Sequence, residues 1–187
     1  MRLAAGPRRN LSRLLLAVAA VALLAAPAAA RELSAEEKSA LAERIATFDA
    51  AMVDSDIEAL IDVVPPKVIA TIAEGAGASE AQLREALIEQ SREAMAAVEL
   101  ISFAMDLEAA DYRQLPDGTP YVTIPTETVL DAGAGKTRVS TQTLALLETG
   151  RWYLVRIDDQ QQVDILKAVY PEFSGVEFQP GTMEAVE

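Results

Sequence analysis

Any chemistry in this chain is built without imidazole or thiol, because its 187 residues include no His and no Cys. That removes the usual zinc and copper ligand sets. It also removes the usual base for a nucleophilic serine, leaving Lys or a carboxylate. Lys38, Lys67, Lys136 and Lys167 all fall in solvent-facing contexts by pattern. Gly135-Lys136-Thr137 has the ending of a phosphate loop, but Leu130 stands where the first Gly belongs, and Arg138 onward alternates like a strand. Without a helix N-terminus to aim N–H groups at phosphate, the segment reads as a hairpin turn. Asp54-Ser55-Asp56 opens like a calcium loop, but Ala59 occupies the position that needs Gly for the sharp turn. Asp158-Asp159 reads as a strand end that caps a helix. No metal and no cofactor is expected.

The elements that must position whatever remains are strands from Val98 to Asp158. Ile101, Phe103, Met105 and Leu107 alternate with Ser102, Ala104, Asp106 and Glu108, the period of a half-buried strand. Pro116-Asp117-Gly118 is a turn in which Pro presets φ, Asp bonds the local backbone and Gly accepts positive φ. Tyr121 to Leu130 is the next strand, and Pro125 within it predicts an edge position or a bulge, since it cannot donate to a ladder. Ala132 to Gly135 turns the chain into Val139–Leu147, and Glu148-Thr149-Gly150 turns it again into Trp152–Ile157. Turns this short join antiparallel strands.

Ahead of them, Ser34 with Glu37 has capping-box spacing and starts a helix to Met52, with Leu41, Ile45, Phe48 and Met52 on one stripe. Asp54-Ser55 starts a second helix that Pro65-Pro66 ends. A third covers Lys67–Ala73, and Ser79 with Gln82 starts the longest, Glu80 to Ala97. These helices are expected to cover one face of the sheet. Beyond the strands, Asp159 with Gln162 caps a last helix stopped by Pro171, and Phe173, Val176 and Phe178 are apolar enough to pack back on the body. Residues from Pro180 read as a mobile tail.

Residues 1–30 carry the pattern of a secretory signal peptide: Arg2, Arg8, Arg9 and Arg13, an apolar run from Leu14 to Ala26, and Ala28-Ala29-Ala30 before Arg31. The expected address is periplasmic or secreted. The run is shorter than the ~20 residues a membrane span needs. Residues 31–179 then form a single domain and 180–187 the tail. Full length, 16 basic residues face 29 acidic ones, a net charge of −13; loss of the four leader arginines leaves 12 against 29, or −17. Such a charge repels phosphates and anionic lipid, which argues against nucleic-acid partners and a membrane surface.

Helices, then a strand meander, then Gly150-Arg151-Trp152-Tyr153-Leu154-Val155 as a late strand: this order resembles the NTF2-like α+β superfamily, which includes SnoaL-type and ketosteroid-isomerase-type proteins. The resemblance covers roughly Leu41 to Asp158. It implies N-terminal helices on a curved antiparallel sheet, forming a cone around an apolar interior. Phe48, Met52, Phe103, Met105 and Trp152 would line that interior or simply fill it. The resemblance also implies acid–base chemistry in some members. Here a His–Asp dyad is impossible, and an isomerase-type site would need a carboxylate with a Tyr or protonated Asp donor. Asp106, Tyr112 and Tyr121 are of the right types, although parity sets Asp106 opposite Phe103 and Met105. Two other readings stand beside the enzyme: a non-catalytic module binding a small apolar ligand or a partner protein, and a homodimer formed through a sheet face with Tyr121, Thr123 and Thr141.

Overall fold

The computed structural model describes residues 32–133 and 135–186; the expected leader lies outside them. Four helices come first: α1 (Ala35–Asp54), α2 (Ile57–Asp62), α3 (Pro66–Gly75) and α4 (Glu80–Ala96). Strands β1 (Glu99–Met105), β2 (Asp111–Gln114), β3 (Pro120–Asp131), β4 (Lys136–Glu148) and β5 (Arg151–Ile157) follow. Helix α5 (Gln160–Val169), a 3-10 turn (Pro171–Phe173) and β6 (Thr182–Val186) complete the order. The class is α+β, with helices on a strongly curled antiparallel sheet and a short helix after it.

The local signals work as their chemistry requires. Ser34 Oγ accepts from the Glu37 amide at 3.1 Å while Glu37 Oε2 accepts from the Ser34 amide at 2.8 Å, so two orphan donors of α1 are satisfied reciprocally. Ser79 and Gln82 repeat the box at the start of α4. Thr149 and Gly150 both take positive φ, 50° and 80°, as a two-residue type I′ connection between β4 and β5 requires.

The sheet has four rows. β1 and β2 lie end to end along one side of β3, β4 lies on its other side, and β5 and β6 lie end to end along the far side of β4. β3 is therefore an interior strand, not the edge that Pro125 predicts. The imide does no harm because it falls where β1 pairing gives way to β2 pairing: Met105 faces Thr126, Asp111 faces Thr123, and Asp106 donates to the Pro125 carbonyl at 2.9 Å. The irregularity sits in β1, where the register slips between Leu100 and Ser102.

Helices cover both faces of the sheet rather than one. On the first, α1 lays Leu41 and Ile45 over Val122, Ile124, Ala145, Trp152 and Leu154. On the second, α3, α5 and the 3-10 turn place Val68, Leu166, Val169 and Phe173 against Tyr121, Leu144, Leu146 and Ile157. The chain passes between them around the β5 edge, where Leu154 donates to the Val63 carbonyl at 2.8 Å. That contact also closes an edge otherwise open to a further strand.

Residues 180–186 do not form the mobile tail that the sequence reading expects, because Thr182–Val186 is a strand. β4 runs on past the end of β5 to Lys136, and β6 pairs with that remainder. The strand is set by a close approach at Gly181. A Cβ there would lie 2.9 Å from the Asp158 carbonyl oxygen and 3.0 Å from Thr141 Cγ2.

Candidate functional site

Registers place a ladder of four threonines on the α1 face of the sheet, Thr126 and Thr128 from β3 and Thr141 and Thr143 from β4. All four are buried. Thr126 and Thr143 are diagonal neighbours whose hydroxyls bond each other at 2.8 Å, and Thr126 also donates to the Ile124 carbonyl at 3.1 Å. Thr128 and Thr141 stand in the same diagonal relation one step along. Yet neither of their hydroxyls has a partner, although the residues are only 4% and 7% exposed. A buried polar atom left unmade costs about 1–3 kcal/mol, so two adjacent ones in one ladder require a reason.

A third shielded oxygen belongs to the helix over this face. Asp49 follows Leu41 and Ile45 at four-residue intervals, so it continues the stripe that α1 presents to the sheet. Its Oδ1 is shielded and without a partner, and burial raises its pKa above the ordinary carboxylate range. Asp49→Asn is expected to be more stable than the wild type at neutral pH. A raised carboxyl pKa means that the folded state binds more protons than the unfolded one. Stability therefore falls as pH rises from the unfolded pKa through the folded one. The advantage of Asn should shrink as pH drops through that window and vanish below it. Denaturant midpoints near pH 7 and about pH 4 measure this, and an identical gap at both would refute it.

Around these oxygens the surface is apolar. Phe103 is the cross-strand partner of Thr128 and Met105 that of Thr126. The Phe48 ring lies 5.5 Å from that of Phe103, and Phe48 and Met105 pack against the cluster that contains Trp152. Four of the five residues expected in an interior are thus gathered on the α1 face, and half-buried Met52 lies one turn beyond Phe48. Trp152 is 2% exposed, with Nε1 donating to the Glu37 carbonyl at 3.0 Å.

The acid–base candidates are not brought together. Asp106 is exposed and closes the loop after β1, where Oδ1 accepts from the Glu108 and Ala109 amides, both at 3.0 Å. Tyr112 faces Val122 across β2–β3, and Tyr121 faces Leu146 across β3–β4, so the two rings leave opposite faces of the sheet. Tyr112 is exposed; Tyr121 is buried against Phe173, and burial raises its pKa. The surface expected for a homodimer divides in the same way. Tyr121 and half-buried Thr123 lie on the α5 face, whereas buried Thr141 lies on the α1 face.

Polar contacts elsewhere have structural work to do. Arg44 Nε donates to the Trp152 carbonyl at 3.1 Å and Nη2 to the Asp62 carbonyl at 2.8 Å, while Arg151 Nη2 donates to Asp62 Oδ2 at 2.5 Å. This latch ties α1, α2 and β5 together. It lines a surface hollow of about 290 Å³ with Glu43 and Thr47. Burial and the neighbouring Arg151 charge lower the Arg44 pKa. On the α5 face, Tyr170 is buried with its hydroxyl 3.2 Å from Glu148 Oε2; burial and then that carboxylate push its pKa up. Among the described residues no group of three acidic side chains is placed to hold a metal ion, and no helix is long and apolar enough to cross a membrane.

Asp49 and the threonines Thr126, Thr128 and Thr143 are the site residues that sequence reasoning missed. The period-two spacing of threonines in two consecutive strands was the available signal. It did not say that all four would be buried, nor that only one diagonal pair would bond. No protein-family model matches this chain, and comparisons with curated proteins and with solved structures find no match.

Proposed function

We propose that this protein is a non-catalytic, extracytoplasmic module of NTF2-like type whose α1 face binds a small, largely apolar molecule carrying hydrogen-bonding groups. The observation that carries the reading is the pair of unpartnered hydroxyls of Thr128 and Thr141. Each can both donate and accept, and Thr128 lies directly beside Phe103 on the apolar face. An apolar surface with a few convergent polar groups is the usual make-up of a small-molecule site. Shielded Asp49 Oδ1 adds an acceptor on the same side. The leader-like pattern of residues 1–30 supports the compartment, and the order of helices and strands supports the family. The separation of Asp106, Tyr112 and Tyr121 favours binding over acid–base turnover.

The reading makes stability and binding move in opposite directions. Thr128→Val and Thr141→Val each remove an orphan hydroxyl, and each should raise unfolding stability by about 1–2 kcal/mol while weakening ligand retention. Thr126→Val should instead cost about 1–3 kcal/mol, because it strands the Thr143 hydroxyl. Urea unfolding reads the first effect. Native mass spectrometry of protein purified from its own compartment reads the second, as loss of a bound passenger from the two stabilised variants. Protein recovered empty, or a passenger held undiminished by both variants, overturns the proposal.

A further inference from the structure

We propose that the edge of β4 from Lys136 to Ser140 is a strand-acceptor seat, filled within one chain by β6, that also takes β6 of a second copy. β6 has almost no side-chain anchorage. Thr182, Met183, Glu184 and Ala185 are all exposed, Met183 by 76%, and only Val186 is half-buried. What holds the strand is its ladder with β4, from Lys136 opposite Val186 to Ser140 opposite Thr182, and one ion pair. Net backbone hydrogen bonds stabilise by about 0.5–1.5 kcal/mol each, and the same bonds form whether the strand comes from the same chain or a neighbour.

The seat has one charged specificity element. Arg138 faces Glu184 across the ladder at 3.3 Å and has the Glu127 carboxylate 3.1 Å away on the other side. An incoming strand must therefore put a carboxylate opposite Arg138, which the β6 of a second copy does. The free part of the connection is short. Residues 174–178 are tied to the body, with Val176 and Phe178 packed against the α5-face core and Lys167 Nζ donating to the Ser174 carbonyl at 3.3 Å. Residues 179–181, which span about 10 Å when extended, are attached where Gln179 donates to Gln142 Oε1 at 3.1 Å and Gly181 to the Asp158 carbonyl at 3.1 Å. Between those two points lies Pro180 as a hinge. Reciprocal exchange closes on itself with twofold symmetry, so it gives a dimer and no open chain of molecules.

Charge reversal tests the seat on full-length chains. R138E and E184K each repel their own strand but accept the other's, so neither alone should dimerise, while an equimolar mixture should yield a one-to-one heterodimer in native mass spectrometry. The R138E/E184K double variant restores the pair within and between chains alike, so it should regain wild-type behaviour, with β6 seated. A mixture that stays monomeric, with both chains folded by circular dichroism, overturns the proposal. The wild-type chain provides a second readout that no folding defect can obscure. Excess synthetic peptide of residues 180–187 should release the protein's own 182–186 amides to coil-like shifts and leave 136–140 strand-like. No displacement at saturating peptide, or equal displacement by a scrambled peptide, overturns it as well.

Discussion

Trp152→Ala is expected to lower the unfolding free energy by about 3–5 kcal/mol, the range for deleting a buried aromatic ring. Two losses coincide there. The ring is fully buried in the cluster that joins Leu41 and Ile45 of α1 to Val122, Ala145 and Leu154 of the sheet. Its indole N–H holds the Glu37 carbonyl near the start of α1, whereas the main-chain carbonyl that receives the Arg44 guanidinium stays in the Ala variant. Against a total stability of about 5–15 kcal/mol for a typical domain, the loss brings the variant close to unfolding at physiological temperature. Trp152→Phe keeps most of the bulk and loses the donor, so it should recover all but about 1–2 kcal/mol. Far-UV circular dichroism in urea measures both, since the chain has one Trp and these variants remove its fluorescence. A cost below about 1 kcal/mol for the Ala variant would mean that Trp152 does not fasten α1 to the sheet.

Phe173→Ala should cost a similar ~3–5 kcal/mol, but its damage should spread in a different direction. Phe173 is 2% exposed, and its ring meets Tyr121 at 5.2 Å, Tyr170 at 6.4 Å and Phe178 at 6.4 Å. Edge-on aromatic pairs add about 0.5–1.5 kcal/mol beyond area burial. The ring therefore joins β3, the end of α5 and the segment that leads on to β6. Amide hydrogen exchange in this variant should accelerate across 174–186 more than across α1, whereas Trp152→Ala should do the reverse. Equal acceleration of both regions in both variants would contradict a sheet with two separate cores. The same measurement bears on strand exchange, because a loosened 174–181 segment makes β6 easier to release.

Much of the architecture was readable in advance, for a reason visible in particular residues. Ser34 with Glu37, Ser79 with Gln82 and Asp159 with Gln162 are contacts three residues apart, and all three caps form. Pro116-Asp117-Gly118 and Glu148-Thr149-Gly150 turn the chain through their own backbone preferences. Pro125 misled because its missing N–H matters only relative to neighbours, and the neighbour there changes from β1 to β2. Thr182–Val186 misled for a related reason. Five mostly exposed residues carry little signal alone, and they become a strand because β4 outruns β5.

What the chain's order of residues settled was where the helices and the four longer strands lie and in what sequence they occur, since caps, turns and periodicity act over a few positions; the short β2 and β6 were not among them. What only the folded structure decided was which helix covers which face, that β3 is interior, and that one diagonal pair of threonines bonds while its neighbour does not. Those outcomes depend on contacts between residues far apart in the chain, such as Trp152 with Glu37 and Thr128 with Phe103. No local pattern encodes such contacts. The candidate site consists of them, which is why the sheet was legible before its function was.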